Sequence, residues 1–593
     1  MSDRTLRLGA VVVLLIAAAV YLPGLPGTFV YDDYRLIVRN EGLKRPFDPA
    51  RAFLRDYYAS DVDRRGLGYY RPVAILSNEV DFRRGGGTPG PFHATNIAVH
   101  VATTALLMWM ARALKPVTPE AVLAAGLLFA VHPAHAESVA FISGRVDPLA
   151  AMFGLAVLAI HLRPGENGPS VGRSMATGAL WLAALFSKEM AVTVPALAVV
   201  LDSAEDGIVP WRRSRAELVR RYGAFAIAGV VYLLMRRVAL GGLDPGSSGG
   251  SFSLVRPLAT LGTYLTWLVL PPRGLHLEPP APGGAIAAAM GATAIVAVVG
   301  TIALWRGGKR LPSALLASTL LTLLPVAQFR VLETAMSERF LYLPSAFACL
   351  LLAVVLAQPR VLRAGLAVAA TLSVLYTTML THRAALWRDE VTLWTTQTRE
   401  APASLRAWVS LAQSYVRRGD REAARRVYER AGTLGLDPAV LAAEMTSLLG
   451  AAGGQDEEQA LLQALEVVPG DGAIWQNLGF VRLEKGDPDG AREAFLKATE
   501  LVPARSMGWL GLAFAELRRR SWAEAERAAE RAAVIDPTLA VARAVQGECL
   551  WRQGHACAAV GVLEGLKLDS PDEAAATGRV LQAAREDCAR ESK

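Results

Sequence analysis

The sequence predicts an all-α protein in two halves, a polytopic helical membrane domain followed by an α-solenoid. Two observations carry this. Charge-free apolar stretches recur along the chain up to about residue 382, and prolines recur at a fixed 34-residue interval near its end. The chain has 593 residues, too many for one domain, and 52% of them are hydrophobic.

The first apolar run lies between Arg7 and Asp32 and is long enough to cross a bilayer, which needs about 20 apolar residues. No small-residue cleavage site follows it, so it reads as an uncleaved helix starting inside. Further charge-free stretches cover 94–111, 121–136, 148–162, 174–187, 190–201, 222–235, 257–272, 279–305, 311–329, 340–359 and 364–382. The arginines fall in short loops between them: Arg212, Arg213, Arg215, Arg220 and Arg221, then Arg306, Lys309 and Arg310, then Arg360 and Arg363. That is the positive-inside pattern, and it accounts for the formal charge of +8 without nucleic acid as a partner. With these loops inside, the segment 26–93 is an external loop. Parity then requires 257–272 to be re-entrant or interfacial, giving eleven crossings and placing everything after residue 383 outside. The stretch 174–201 divides at Lys188–Glu189, although each half reaches only about 20 Å against a ~30 Å core.

The C-terminal third is periodic. Pro469, Pro503, Pro537 and Pro571 stand 34 residues apart, the tetratricopeptide interval. Trp475, Leu478, Gly479, Ala491, Phe495 and Ala498 fill the repeat positions of one unit; Trp509, Ala525 and Ala532 fill those of the next. Trp408, Leu411, Tyr415, Ala424, Tyr428 and Ala431 open the array. The domain reading is therefore 1–383 membrane, 384–403 connector, 404–575 repeats and 576–593 a C-terminal helix or tail. Stacked repeats present a concave surface suited to binding a protein chain. Trp387 and Trp394 are expected to pack the array onto the membrane half. Of four cysteines, Cys549, Cys557 and Cys588 lie near the end, and a Cys549–Cys557 disulfide is available in an oxidising compartment.

Ionisable groups within or beside membrane helices are costly and mark function. Four clusters qualify: Asp32–Asp33; Arg71 with His93, Asn96 and His100; His132, His135, Glu137, Arg145 and Asp147; and Lys188–Glu189 with Glu338, Arg339 and Tyr342. Each also has a plain reading as a solvated turn, a helix cap or a structural ion pair. All four fall on the outer side of the topology above and can converge. The H-x-x-H-x-E spacing at 132–137 differs from the zinc-protease patterns, so no metal is expected.

These segments, FVYDDYRLIVRN, YYRPVAILS, FHATNIAVH, HPAHAESVAFISGRVD, SKEMAVTVP and SERFLYLPS, occur in order and resemble the motifs of the transmembrane and tetratricopeptide repeat-containing O-mannosyltransferases. The resemblance spans 26–400 and extends to the repeats. It implies the GT-C fold class of membrane glycosyltransferase, a polyprenyl-phosphate sugar donor with no further cofactor, and a catalytic carboxylate at Asp32 or Asp33. The expected reaction passes mannose or another hexose to Ser/Thr hydroxyls of exported proteins, with inversion, from a site on the periplasmic side of the cell inner membrane. The departing lipid phosphate needs fixed cations, for which Arg71, Arg145, Lys188 and Arg339 are the candidates, with Tyr342 and the histidines as donors. Two other readings stay open at this level. One keeps the donor but passes the sugar to a lipid or glycan; the other is a non-catalytic membrane-anchored scaffold.

Overall fold

A computed structural model describes residues 2–591 apart from 59–67, 164–169, 208–211, 242–254, 273, 275–276, 278, 280–281, 330–335, 437–457, 460, 463–464, 466–468, 538, 567 and 569–570. The glycine- and serine-rich residues 242–254 and part of the second repeat thus lie outside the described residues. The chain forms two compact units, Met1–Glu400 and Ala401–Lys593.

The first unit is built from α1 (Asp3–Ala19), α2 (Pro72–Gly85), α3 (Gly90–Ala111), α4 (Pro119–Ala130), α5 (His135–Ala140), α6 (Val146–His161), α7 (Val171–Ser187) and α8 (Val194–Asp206). It continues with α9 (Arg215–Leu240), α10 (Val255–Val269), α11 (Gly284–Arg306), α12 (Arg310–Leu323), α13 (Tyr342–Leu356), α14 (Leu362–Leu386) and α15 (Glu390–Glu400). Local chemistry starts several of them. Ser2, Thr118, Ser170 and Ser214 each accept a hydrogen bond from the backbone N–H three residues on, satisfying a donor that the first turn otherwise leaves open.

Seven helical segments among the described residues are long and apolar enough to cross a membrane: Asp3–Gly24, Gly90–Ala111, Ile142–His161, Arg215–Leu240, Gly284–Arg306, Glu338–Leu356 and Leu362–Leu386. The eleven expected crossings are thus not all full-length: Pro119–Ala130 and Arg310–Val326 are apolar but shorter, and α7, α8 and α10 have 17, 13 and 15 residues. The shortening has a cause. Helices break where polar groups must be presented, as at Lys188, whose extended backbone (φ −161°, ψ 141°) separates α7 from the 3₁₀ turn Glu189–Thr193 and α8. Burial sorts the rest. Ile142–His161 is 83% buried and central, whereas Gly284–Arg306 is only 11% buried despite a hydropathy of 2.1. Ile286, Ile295, Val296 and Val299 stand exposed on α11, as do Ile227, Val230 and Leu234 on α9. Apolar faces of this extent are stable against lipid rather than water.

The two ends of the bundle differ. At one, Asp202 accepts from His161 (2.9 Å), Tyr222 (2.7 Å) and Arg221 (3.1 Å), while Arg112 reaches Asp3. This gathers the arginine-rich loop after α8. The interhelical turns at the other end carry the motif residues.

The second unit contains α16 (Leu405–Arg417), α17 (Arg421–Thr433), α18 (Gly472–Glu484), α19 (Pro488–Leu501), α20 (Ser506–Arg518), α21 (Trp522–Ile535), α22 (Ala540–Arg552), α23 (Ala556–Leu563) and α24 (Pro571–Glu591). The proline interval acquires a structural meaning here. The indole N–H of Trp408, Trp475 and Trp509 donates to the carbonyl of Pro402, Pro469 and Pro503, each at 2.9 Å. Each unit thereby fastens its entering turn to its first helix. Phe495 fills the space left by Gly479, where a β carbon would lie 2.7 Å from its ring.

The expected cysteine pairing is corrected. The disulfide joins Cys557 to Cys588, stapling α23 to α24, while Cys549 is free because it is buried in the core beside Phe495 and Ala525. Trp387 and Trp394 lie within the first unit: Trp387 stacks on Phe141 (4.9 Å, 22°) and Trp394 meets Tyr31 edge-on (5.4 Å, 71°). Likewise α15, in the expected connector, is part of the first unit.

Candidate active site

The acidic pair follows α1 in the loop leading to a π-turn at Tyr34–Val38. Its two members have different environments. Asp33 is fully buried, accepting from the Val30 amide (3.0 Å) and from the amide (2.9 Å) and hydroxyl of Ser143. Burial, with a smaller contribution from Asp32, pushes it up to about 7 against those hydrogen bonds. Asp32 is only half-buried and accepts a hydrogen bond from the Tyr58 hydroxyl (3.1 Å). Asp33 is thus tied to the scaffold, and Asp32 is the member with access to solvent.

Tyr58 leads to the cations. Its phenol is pushed up by burial first and then by Asp32 and Tyr57, while Arg71 and Arg339 act in the other direction. Arg71, at the start of α2, lies over the rings of Tyr69 (4.5 Å) and Tyr57 (5.5 Å) and donates to Glu189 (3.0 and 3.3 Å). Burial raises Glu189, but the charge and hydrogen bonds of Arg71 outweigh it and hold Glu189 below its ordinary value. Lys188 donates to Asp147 at 2.5 Å; burial lowers its ammonium to about 8, against Asp147 and with help from Arg339 and Arg71. Arg339 lies 3.7 Å from Glu137, too far for a hydrogen bond, and its Nε has no hydrogen-bond partner among the described residues. Glu137 is held instead by the Ser337 hydroxyl (2.9 and 2.8 Å) and the Arg339 amide (3.2 Å). The structure thus brings Asp32, Arg71, Lys188, Glu189, Glu137, Asp147 and Arg339 into one electrostatically coupled cluster.

Other predicted site residues build its walls. Arg145 is fully buried and donates to Asp81 (2.6 Å), Ser77 (2.8 Å) and the Phe92 carbonyl (3.0 Å). Asn96 donates from one Nδ2 to the carbonyls of Val139, Phe141 and Ile142, pinning the turn that carries Ser143. His93 is buried against Gly27. His132 contacts the Leu268 carbonyl (3.1 Å), His135 the Ser345 hydroxyl (2.8 Å), and His100 the Tyr342 hydroxyl (2.7 Å). All three histidines are buried, and these contacts fix their rings within the bundle. Glu338 is bound by Arg383 at 2.5 Å. Among the described residues no three His, Cys, Asp or Glu side chains converge as a metal-binding group.

Sequence reasoning missed Tyr58, Ser143, Asp81 and Arg383. Arg383 had a signal, a lone cation ending the last apolar run. The others had none, because their partners are set only by tertiary packing.

The fold and cluster define a many-helix membrane protein with a polar site at one end and a repeat solenoid following it. The tetratricopeptide repeat model matches residues 405–434 and 472–505. The chain is 37% identical over 188 residues to protein O-mannosyl-transferase Tmtc1 of Drosophila melanogaster, covering 32% of this chain and 22% of that protein. It is 33% identical over 272 residues to Tmtc2 of the same organism, covering 44% and 28%, and 32% identical over 189 residues to human TMTC2, covering 31% and 22%. The chain therefore spans under a third of the length of these curated relatives. The relatives found are the O-mannosyl-transferases that the motifs resemble. Among solved structures, yeast Tom70 aligns over 79% of this chain and 92% of its own at 11% identity, with a TM-score of 0.25, too low to carry an argument.

Proposed function

We propose that this protein is an integral-membrane glycosyltransferase that moves mannose, or another hexose, from a polyprenyl-phosphate donor to Ser/Thr hydroxyls of protein acceptors. One observation carries the reading: a half-buried carboxylate, Asp32, stands in one electrostatic cluster with Arg71, Lys188 and Arg339. That is the separation of charge a single displacement requires. The acceptor oxygen attacks the anomeric carbon, and its proton passes to Asp32 as the bond forms. The bond from the anomeric carbon to the phosphate oxygen breaks with inversion. The lipid phosphate leaves with the electron pair, and the guanidinium groups neutralise it. The positive charge on the leaving oxygen's side comes from side chains, so the proposed reaction is metal-independent.

The repeats hold the acceptor protein, and the site and repeats both face the periplasmic side of an inner membrane. The arginine-rich loops gathered at the opposite end support that orientation. So does the Cys557–Cys588 bridge, which requires an oxidising compartment. A glycoproteomic comparison of cells with and without the protein tests the proposal. Hexose on Ser/Thr of exported proteins that disappears with the protein is expected; unchanged protein glycosylation together with an altered glycolipid would redirect it to a lipid acceptor.

A further inference from the structure

Tyr58 lies where the described residues on either side of 59–67 are tied together. Asp56 accepts from the amides of Tyr58 (2.7 Å) and Tyr69 (2.8 Å), and the Tyr57 amide donates to the Tyr69 carbonyl (2.7 Å). The neck so formed fixes three rings. Tyr58 meets Tyr57 (5.1 Å, 80°) and Tyr69 (5.7 Å, 62°) edge-on, and Arg35 lies 5.5 Å from its centroid. A phenol held in this way has one proton to give, and its geometry directs that proton to Asp32.

We propose that Tyr58 is the positioning residue of the transfer reaction, holding the Asp32 carboxylate ionised and in one rotamer beside the cations. This rests on the reading of Asp32 as the base. The chemistry is direct: a hydroxyl donating to a carboxylate favours its charged form. Because burial and Asp32 push the phenol upward, Tyr58 remains a donor over the range in which a carboxylate titrates. Among the described residues, the charged or titratable groups beside the pair include Asp33, Arg35, Tyr57 and Tyr69 of the loop, Arg71 at the start of α2 and Arg339 of the Glu338–Leu341 turn, while Glu390 of α15 accepts from the Tyr31 amide.

The test uses the full chain in lipid nanodiscs. A hydrophobic carbodiimide reacts with protonated carboxyls, and peptide mass spectrometry reads the labelling of Asp32 across pH. In Tyr58→Phe the labelling midpoint should rise by about ten-fold in proton affinity, the size expected for a lost hydrogen bond to a charged group. A melting temperature near that of wild type reports an intact loop. With a synthetic polyprenyl-phosphate mannose and a Ser/Thr peptide, the acid limb of kcat should move to higher pH while the donor KM is unchanged. Difluorotyrosine at position 58 keeps the fold and donates more strongly, so its midpoint should fall below that of wild type. An Asp32 midpoint unmoved by either change overturns the proposal. Transfer that survives Asp32→Asn overturns the base reading instead, whatever the labelling shows.

Discussion

Asp33 Oδ1 accepts hydrogen bonds from both the amide and the hydroxyl of Ser143, 110 residues further along the chain. The bond ties the loop after α1 to the turn before α6, the most buried of the long apolar helices. It also separates the roles of two adjacent, chemically identical side chains.

The separation predicts unlike mutants. Asp32→Asn should lower transfer by about 10²–10⁴-fold, the range for loss of a general base, with thermal stability near wild type. Asp33→Asn should lower stability, because an amide NH₂ would face the donating N–H of Val30 or Ser143 and leave a buried donor unmet at about 1–3 kcal/mol. Melting curves of the two purified variants, alongside their rates, check this.

A pH dependence follows from Asp33. Its value in the folded protein, about 7, lies above the ordinary 3.8, so the folded state holds the proton more tightly. Its contribution to stability is therefore complete below about 3.8 and is lost as pH rises through about 7. Loss of the Ser143 hydroxyl bond pushes Asp33 higher still, so the difference in melting temperature between wild type and Ser143→Ala should be flat below about pH 7 and change as pH rises above it.

Much of this was legible in the sequence and some was not. The acidic pair, the cation motifs and the 34-residue interval stood out because each violates a local rule: charge beside apolar runs, or equal spacing of prolines. Ser143, Tyr58 and Asp81 violate none, and their partners Asp33, Asp32 and Arg145 lie 110, 26 and 64 residues away. His132 and His135 illustrate a related point. A polar residue inside a membrane bundle can serve packing when a backbone carbonyl or a hydroxyl meets it, and sequence spacing cannot distinguish that from a ligand site.

Arg145 and Arg71 should respond differently to removal. Arg145→Ala leaves Asp81 buried and unpaired, which costs about 3–5 kcal/mol, and should reduce the yield of folded protein. Arg71→Ala removes a partner from the more exposed Glu189 and should instead raise the donor KM with a modest change in stability. Expression level and donor titration in parallel distinguish the two.

The repeat unit should be separable from the chemistry. A chain ending at Glu400, the limit of the first compact unit, should insert and retain slow transfer to a short soluble peptide while losing transfer to the native acceptor. Within the array, Trp475→Phe should cost about 1 kcal/mol through loss of its bond to Pro469, without affecting peptide transfer.

The most direct measurement is transfer by the purified full chain in nanodiscs, with radiolabelled polyprenyl-phosphate mannose and a protein acceptor carrying Ser/Thr sites. The prediction is acid-stable, β-elimination-labile label on the acceptor with the wild type and near-background label with Asp32→Asn. Equal labelling by wild type and Asp32→Asn would contradict the assignment of the base at this site.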